Sequence, residues 1–164
     1  VVPWEALEEE FRLADIFVLP SHSTPPFGMM DAMSFGLPIV ALDIWANSEM
    51  VQHGRTGLLA KPSRNVPYFY RGTKHPNFGA ADWLRSIQRP DPAVVLDLAT
   101  QTSILIEQVE ARDQMGRAAR WEIEHGKFSI MVRNEHLKQM FDDSLAEIPV
   151  RANISSHVRV AKDC

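Results

Sequence analysis

The chain has 164 residues, 45% hydrophobic and 23% charged, which fits one domain with a real core. Its formal net charge of -4 and pI near 5.9 argue against bulk electrostatic binding to nucleic acid or to anionic lipid. The single cysteine, Cys164, excludes a disulfide framework and suits a reducing compartment such as the cytoplasm, and no run approaches the ~18 apolar residues of a membrane span.

In chain order, Pro3 to Ala14 reads as a helix. Pro3 suits its first turn, Glu5, Glu8, Glu9 and Glu10 lie toward the positive end of its dipole, and Trp4, Leu7, Phe11 and Ala14 recur at helical spacing. Ile16 to Leu19 is a continuous apolar run, as expected of a strand covered on both faces. A loop over Ser21 to Pro26 leads into a helix over Phe27 to Phe35, which Gly36 stops. Pro38 to Leu42 reads as a second buried strand, Asn47 to His53 as a short helix that Asn47 can cap, and Leu58 to Ala60 as a third strand. This alternation predicts a parallel sheet with helical crossovers.

Lys61 to Ala80 has three prolines, two glycines and Tyr68-Phe69-Tyr70 but no periodicity. It is expected to be a long loop, pinned by its aromatics or lining a groove with them. Four helices then follow: Ala81 to Ile87, Pro92 to about Val109, Ala111 to His125, and one from a Ser129 cap to Ile148. The second should bury Val94, Val95, Leu98, Leu105 and Val109, and the last carries Leu137, Met140, Phe141, Leu145 and Ile148 at helical spacing. Residues 149–164 read as a loose tail with a short strand at His157 to Val160. The fold class is α/β: a partial Rossmann-like parallel sheet with a helical C-terminal extension over residues 1–148.

Chemistry concentrates where the first strand meets the second helix. In parallel sheets, ligands bind beyond the carboxyl ends of the strands, and the first-turn amides of a helix suit a phosphate. Gly28 permits close backbone approach there and Pro25-Pro26 stiffen the loop, although Pro-Phe-Gly also serves as a plain connector. Asp31 stands among Met29, Met30, Ala32 and Met33. It either meets a ligand hydroxyl, as in the ribose contact of dinucleotide folds, or supports the helix start. His22, in the same loop, contacts a phosphate or sugar, or simply faces water. Lys61 reads as a surface lysine, and Arg112, Arg117 and Arg120 as solvated. The histidines lack ligand spacing, so no metal is expected.

The stretch ADIFVLPSHSTPPFGMMDAMSFGLPIVALDIWANSEMVQHGRTGLLA, from Ala14 to Ala60, resembles the C-terminal, nucleotide-sugar domain of GT-B glycosyltransferases of group 1, family 4. RDQMGRAARWEIEHGKFSI resembles that family's closing helices. The resemblance implies a retaining, metal-independent sugar transferase with a nucleotide-sugar donor and no other cofactor. It implies donor binding by Gly28 and Met29 at the diphosphate, Asp31 at the ribose and Glu49 toward the sugar, with His22 nearby. Glu49 is equally readable as a helix-start acid. Ser23 or Pro26, according to alignment, stands where the family's first loop acid would be.

The family's Gly-Arg and Lys-Gly strands have no counterpart in the sequence, and the chain opens on Val1 without methionine. The expectation is therefore a fragment, inactive in isolation, with an open sheet edge near Ile16 to Leu19 and a self-associated homo-oligomeric state, segment swapping being one route to it. The competing expectations are a non-catalytic nucleotide-binding module and a degenerate interaction protein. The acceptor is open, and no nucleic-acid partner is expected.

Overall fold

The computed structural model describes residues 2–23 and 26–147, so the expected tail at 149–164 lies outside them. Helix α1 (Trp4–Leu13) leads into strand β1 (Phe17–Leu19), helix α2 (Pro26–Ser34), strand β2 (Ile39–Leu42), helix α3 (Asn47–Met50) and strand β3 (Gly57–Ala60). Helices α4 (Ala81–Ser86), α5 (Pro92–Glu107), α6 (Val109–Glu124) and α7 (Ile130–Glu147) follow. The sheet has the order β1-β2-β3 and is parallel throughout, with Val18 beside Val40 and Val40 beside Leu58. It is the α/β, partial Rossmann-like arrangement expected, with helices on both faces.

Strand β2 explains the layering. All four of its residues are fully buried, and alternate side chains enter different cores. Ile39 and Ala41 join Met29, Met33, Phe11 and Ala119 on the α2 and α6 side. Val40 and Leu42 join Leu58, Trp83, Val94 and Leu98 on the α5 side. The apolar run at β1 is not covered on both faces as expected: Val18, beside Val40, is 40% exposed, because on that face α5 packs on β2 and β3.

Other departures have similarly local causes. In α5, Val94, Leu98 and Leu105 share one face and are buried, whereas Val95, about 100° further round, is exposed. Val109 starts α6 instead, after a break at Gln108. Asn47 does not cap α3: it lies inside the first turn, fully buried, and its amide donates to the Leu42 carbonyl at 2.9 Å. Ser129 does cap α7, accepting from the Met131 amide at 3.3 Å. The side chains of Leu137, Met140, Phe141 and Leu145 on α7 are exposed. In α1 only Phe11 is buried, stacked on Phe35 with ring centroids 5.4 Å apart.

Two close approaches fix α6 to this frame. At Gly116 a Cβ would collide with the Gly36 carbonyl oxygen, so the start of β2 and α6 meet backbone to backbone. Further along α6, the buried Glu122 accepts from Arg55 at 2.5 Å, from Gln52 at 3.3 Å and from the Lys127 amide at 3.2 Å. That carboxylate ties the β3 entry turn to the end of α6. Arg112 is not merely solvated: it pairs with Asp15 at 3.4 Å, joining α6 to the start of β1. Because backbone cannot yield as a side chain can, Gly116→Ala should lower stability by about 3 kcal/mol, and a shift of the urea midpoint at constant slope would measure it.

Candidate functional site

The carboxyl ends of the three strands carry the loops that follow Leu19, Leu42 and Ala60. After β1, Ser21 and Ser23 pair through their hydroxyls at 2.8 Å, and the Ser23 amide donates to Ser21 Oγ at 3.1 Å. His22 therefore lies in a locally knotted loop and turns outward from it. Its Nδ1 is 2.8 Å from the Tyr68 hydroxyl, 46 residues away. With the imidazole neutral and its proton on Nε2, the phenol donates to Nδ1. Burial lowers the His22 pKa from its ordinary value, and the nearby Asp91 carboxylate partly restores it. Burial also raises the Tyr68 pKa.

The segment between β3 and α5 closes over these ends. Tyr68 is buried and Trp45, from the loop after β2, reaches it: the indole N–H donates to the Tyr68 carbonyl at 3.0 Å. Trp45 stacks near Trp83 with centroids 6.1 Å apart and meets Tyr68 and Phe78 edge-on. Its φ of 43° is left-handed, a conformation that costs a non-glycine residue about 1–2 kcal/mol. The aromatic contacts and the hydrogen bond hold it there.

Asp91 caps α5, accepting from the Ala93 amide at 3.0 Å, and also accepts from the Ser63 hydroxyl. These bonds, the Ser63 bond foremost, hold its pKa below the usual carboxylate value. A cleft of about 250 Å³ lies among His22, Ser63, Asn65, Arg89 and Asp91. Of the aromatic triplet, Tyr68 pins the loop as expected, whereas Phe69 and Tyr70 are exposed.

Helix α2 starts at Pro26, one residue earlier than expected. Pro26 has no amide, so the first turn offers those of Phe27 and Gly28, with Met29 next. The Met29 side chain is fully buried, which leaves only its backbone for a ligand. The buried stripe of α2 is Met29, Ala32 and Met33. Asp31 lies about 160° from Met29 around the helix, on the face of Phe27 and Ser34, and is half-buried. The Asp31 carboxylate is thus not on the core face, despite its apolar neighbours in sequence. Among the described residues it has no hydrogen-bond or ion-pair partner, and none joins any two of the side chains of His22, Asp31 and Glu49. Glu49 is exposed on α3, and its carbonyl accepts from the Lys127 ammonium.

Sequence reasoning did not reach Trp45, Ser63 or the partnership of Tyr68 with His22. The Asp91-Pro92 pair is a readable helix start, since Asp suits the cap and Pro the first turn. A positive φ at tryptophan leaves no such trace. No helix among the described residues is long and apolar enough to cross a membrane.

Residues 1–72 match the family model described as Glycosyl transferases group 1. A D-inositol 3-phosphate glycosyltransferase from Pseudarthrobacter chlorophenolicus is 33% identical over 98 residues, an alignment covering 57% of this chain and 20% of that relative. The chain thus spans about a fifth of the length of the curated relative it matches.

The described contacts make His22 a reporter of this loop. Its folded midpoint lies below the unfolded one, so its contribution to stability is fully present above about pH 6.5 and declines as pH falls through the folded midpoint. Asp91→Asn keeps a capping side chain but removes the charge that raises the midpoint. The His22 ring resonance, followed by NMR titration, should therefore move to a lower midpoint in that variant.

Proposed function

We propose that this chain, which belongs to the group 1 glycosyl transferases, supplies the nucleotide-sugar side of a retaining, metal-independent sugar transferase. The diphosphate would rest on the first-turn amides of α2 around Gly28 and Met29, and Asp31 would accept from the ribose hydroxyls. Glu49 would face the donor sugar, and His22 would border the phosphates. This is a cytoplasmic role, in keeping with a lone cysteine.

The observation that carries the reading is Asp31 itself. A half-buried carboxylate, turned away from the core and without a partner among the described residues, stands one turn beyond an anion-competent helix start. An acid there adds an acceptor for hydroxyls while the amides take the negative charge. The 33% identity to an inositol-phosphate glycosyltransferase supports the same chemistry. Much of the barrier lowering in such a transfer comes from stabilising the leaving diphosphate, and helix amides alone are too little for turnover. The 164-residue chain is accordingly proposed to bind donor without transferring sugar.

A second reading rests on a different observation. Ser23 or Pro26 replaces the family's first loop acid, β1 exposes Val18 at the sheet edge, and α7 exposes Met140, Phe141 and Leu145. These favour a non-catalytic nucleotide-binding module, or a degenerate protein that associates with itself through strand edge or helix.

Titration calorimetry with UDP, GDP, ADP and their sugars separates these possibilities. Saturable heat for one base, weakened about 10- to 100-fold by Asp31→Asn, is expected, the range reflecting loss of a charged hydrogen-bond acceptor. Silence with every nucleotide would sink both the donor site and the binding module. Light scattering addresses self-association: a mass that stays monomeric at high concentration removes that alternative.

A further inference from the structure

The segment from Lys61 to Pro90, between β3 and α5, has a charge opposite to that of the remainder of the chain. It carries Lys61, Arg64, Arg71, Lys74, Arg85 and Arg89 against one acid, Asp82. The rest of the chain has eleven Lys and Arg against twenty Asp and Glu. A net charge of -4 therefore conceals a basic projection on an acidic body.

The projection has a firm base and an open tip. Residues 68–77 form a hairpin: the Asn77 amide donates to the Tyr68 carbonyl at 2.9 Å, the Tyr70 amide to His75 at 3.0 Å, and the Thr73 amide to Tyr70 at 2.9 Å. Tyr68 and Asn77 are buried, and Asn77 Nδ2 donates to the Pro67 carbonyl at 3.0 Å and to Asp82 at 3.1 Å. Beyond that base every residue from 69 to 76, Phe-Tyr-Arg-Gly-Thr-Lys-His-Pro, is exposed. Phe69 is 46% exposed, Tyr70 51% and, just beyond the base, Phe78 61%.

We infer that this hairpin docks the chain onto an anionic lipid bilayer surface, with Phe69 and Tyr70 at headgroup depth and Arg71 and Lys74 among the lipid phosphates. Aromatic rings settle at the membrane interface, and each nearby cation adds attraction to an anionic leaflet. Charge complementarity selects the partner. The projection is the basic part of a chain that is otherwise acidic in sum, so a contact made by its tip brings cations and aromatic rings to the surface first, and salt shortens the reach of the body's repulsion. A nucleic-acid strand needs instead a basic groove with serial stacking platforms, and a single short hairpin presents a point. The tip, residues 69–76, contains none of the donor-site residues His22, Gly28, Met29, Asp31 and Glu49, and the hairpin base meets that site through the Tyr68–His22 hydrogen bond.

Co-sedimentation of the 164-residue chain with vesicles of phosphatidylcholine, with and without phosphatidylglycerol, tests it. Binding is expected only with phosphatidylglycerol and should fade at high salt. Arg71→Gln with Lys74→Gln should weaken partitioning about 30-fold, and Phe69→Ser with Tyr70→Ser should weaken it as well. All four side chains are exposed, so the urea midpoint should hold in both variants, which confirms that the fold is retained. Absence of binding to anionic vesicles overturns the proposal, as does binding that both double variants leave unchanged. Preferential capture of single-stranded DNA or heparin over vesicles also overturns it and reassigns the tip to a polyanion.

Discussion

The structure depends on the complete burial of one four-residue strand. Ile39 to Leu42 has no exposed atom to spare, and its alternating side chains anchor a different core on each side of the sheet. Helices α2 and α6 are bound to one core and α5 to the other, so the loops at the carboxyl ends have a fixed platform beneath them. The backbone contact of Gly116 with Gly36 acts where β2 begins, and the Glu122 knot acts where β3 begins. Both constraints lie at the amino ends of the strands. Tight packing at that end leaves the opposite end to be shaped by loops, which is the division of labour that α/β sheets commonly adopt.

At the shaped end the polar and aromatic groups act as one linked set. His22 comes from the loop after β1, Trp45 from the loop after β2, and Ser63 and Tyr68 from the segment after β3. The bonds His22 to Tyr68, Trp45 to Tyr68 and Ser63 to Asp91 connect all three loops to the cap of α5. Tyr68 is the hub: its hydroxyl faces the imidazole and its carbonyl takes the indole N–H. A group of this kind resists rearrangement, because moving the segment after β3 breaks contacts with both other loops, and moving either of those breaks its contact with Tyr68. The strained Trp45 backbone is stable only within that set.

Much of this is legible in the residues, and the failures are specific. The strands, the long helices and the family resemblance follow from apolar runs, glycine stops and the motif from Ala14 to Ala60. An open edge at Ile16 to Leu19 is read from the sequence, but the uncovered face of Val18 is not, because an apolar run says nothing of which helices reach that strand. The direction of Asp31 is hidden by a helix that is apolar nearly all round, so composition cannot single out the core face. The Tyr68 partnership joins residues 46 apart, which no local pattern announces. The basic projection is fully visible in the sequence, yet a whole-chain charge averages it away. Electrostatic recognition depends on where charges stand, and the hairpin base is what makes their position definite.

The neck of that projection has its own consequence. The Lys61 amide donates to Asp97 at 2.7 Å, and Ser63 donates to Asp91, so both ends of the segment are fastened to α5 before the hairpin begins. Once a loop's ends are fixed, the entropy of closing it grows only logarithmically with its length. The exposed tip, residues 69–76, is therefore an exchangeable cassette: the neck and the buried Val66, Tyr68, Asn77 and Trp83 carry the structural obligation, and what is strung between Tyr68 and Asn77 can lengthen, shorten or change its chemistry while β2 and its two cores stay as they are.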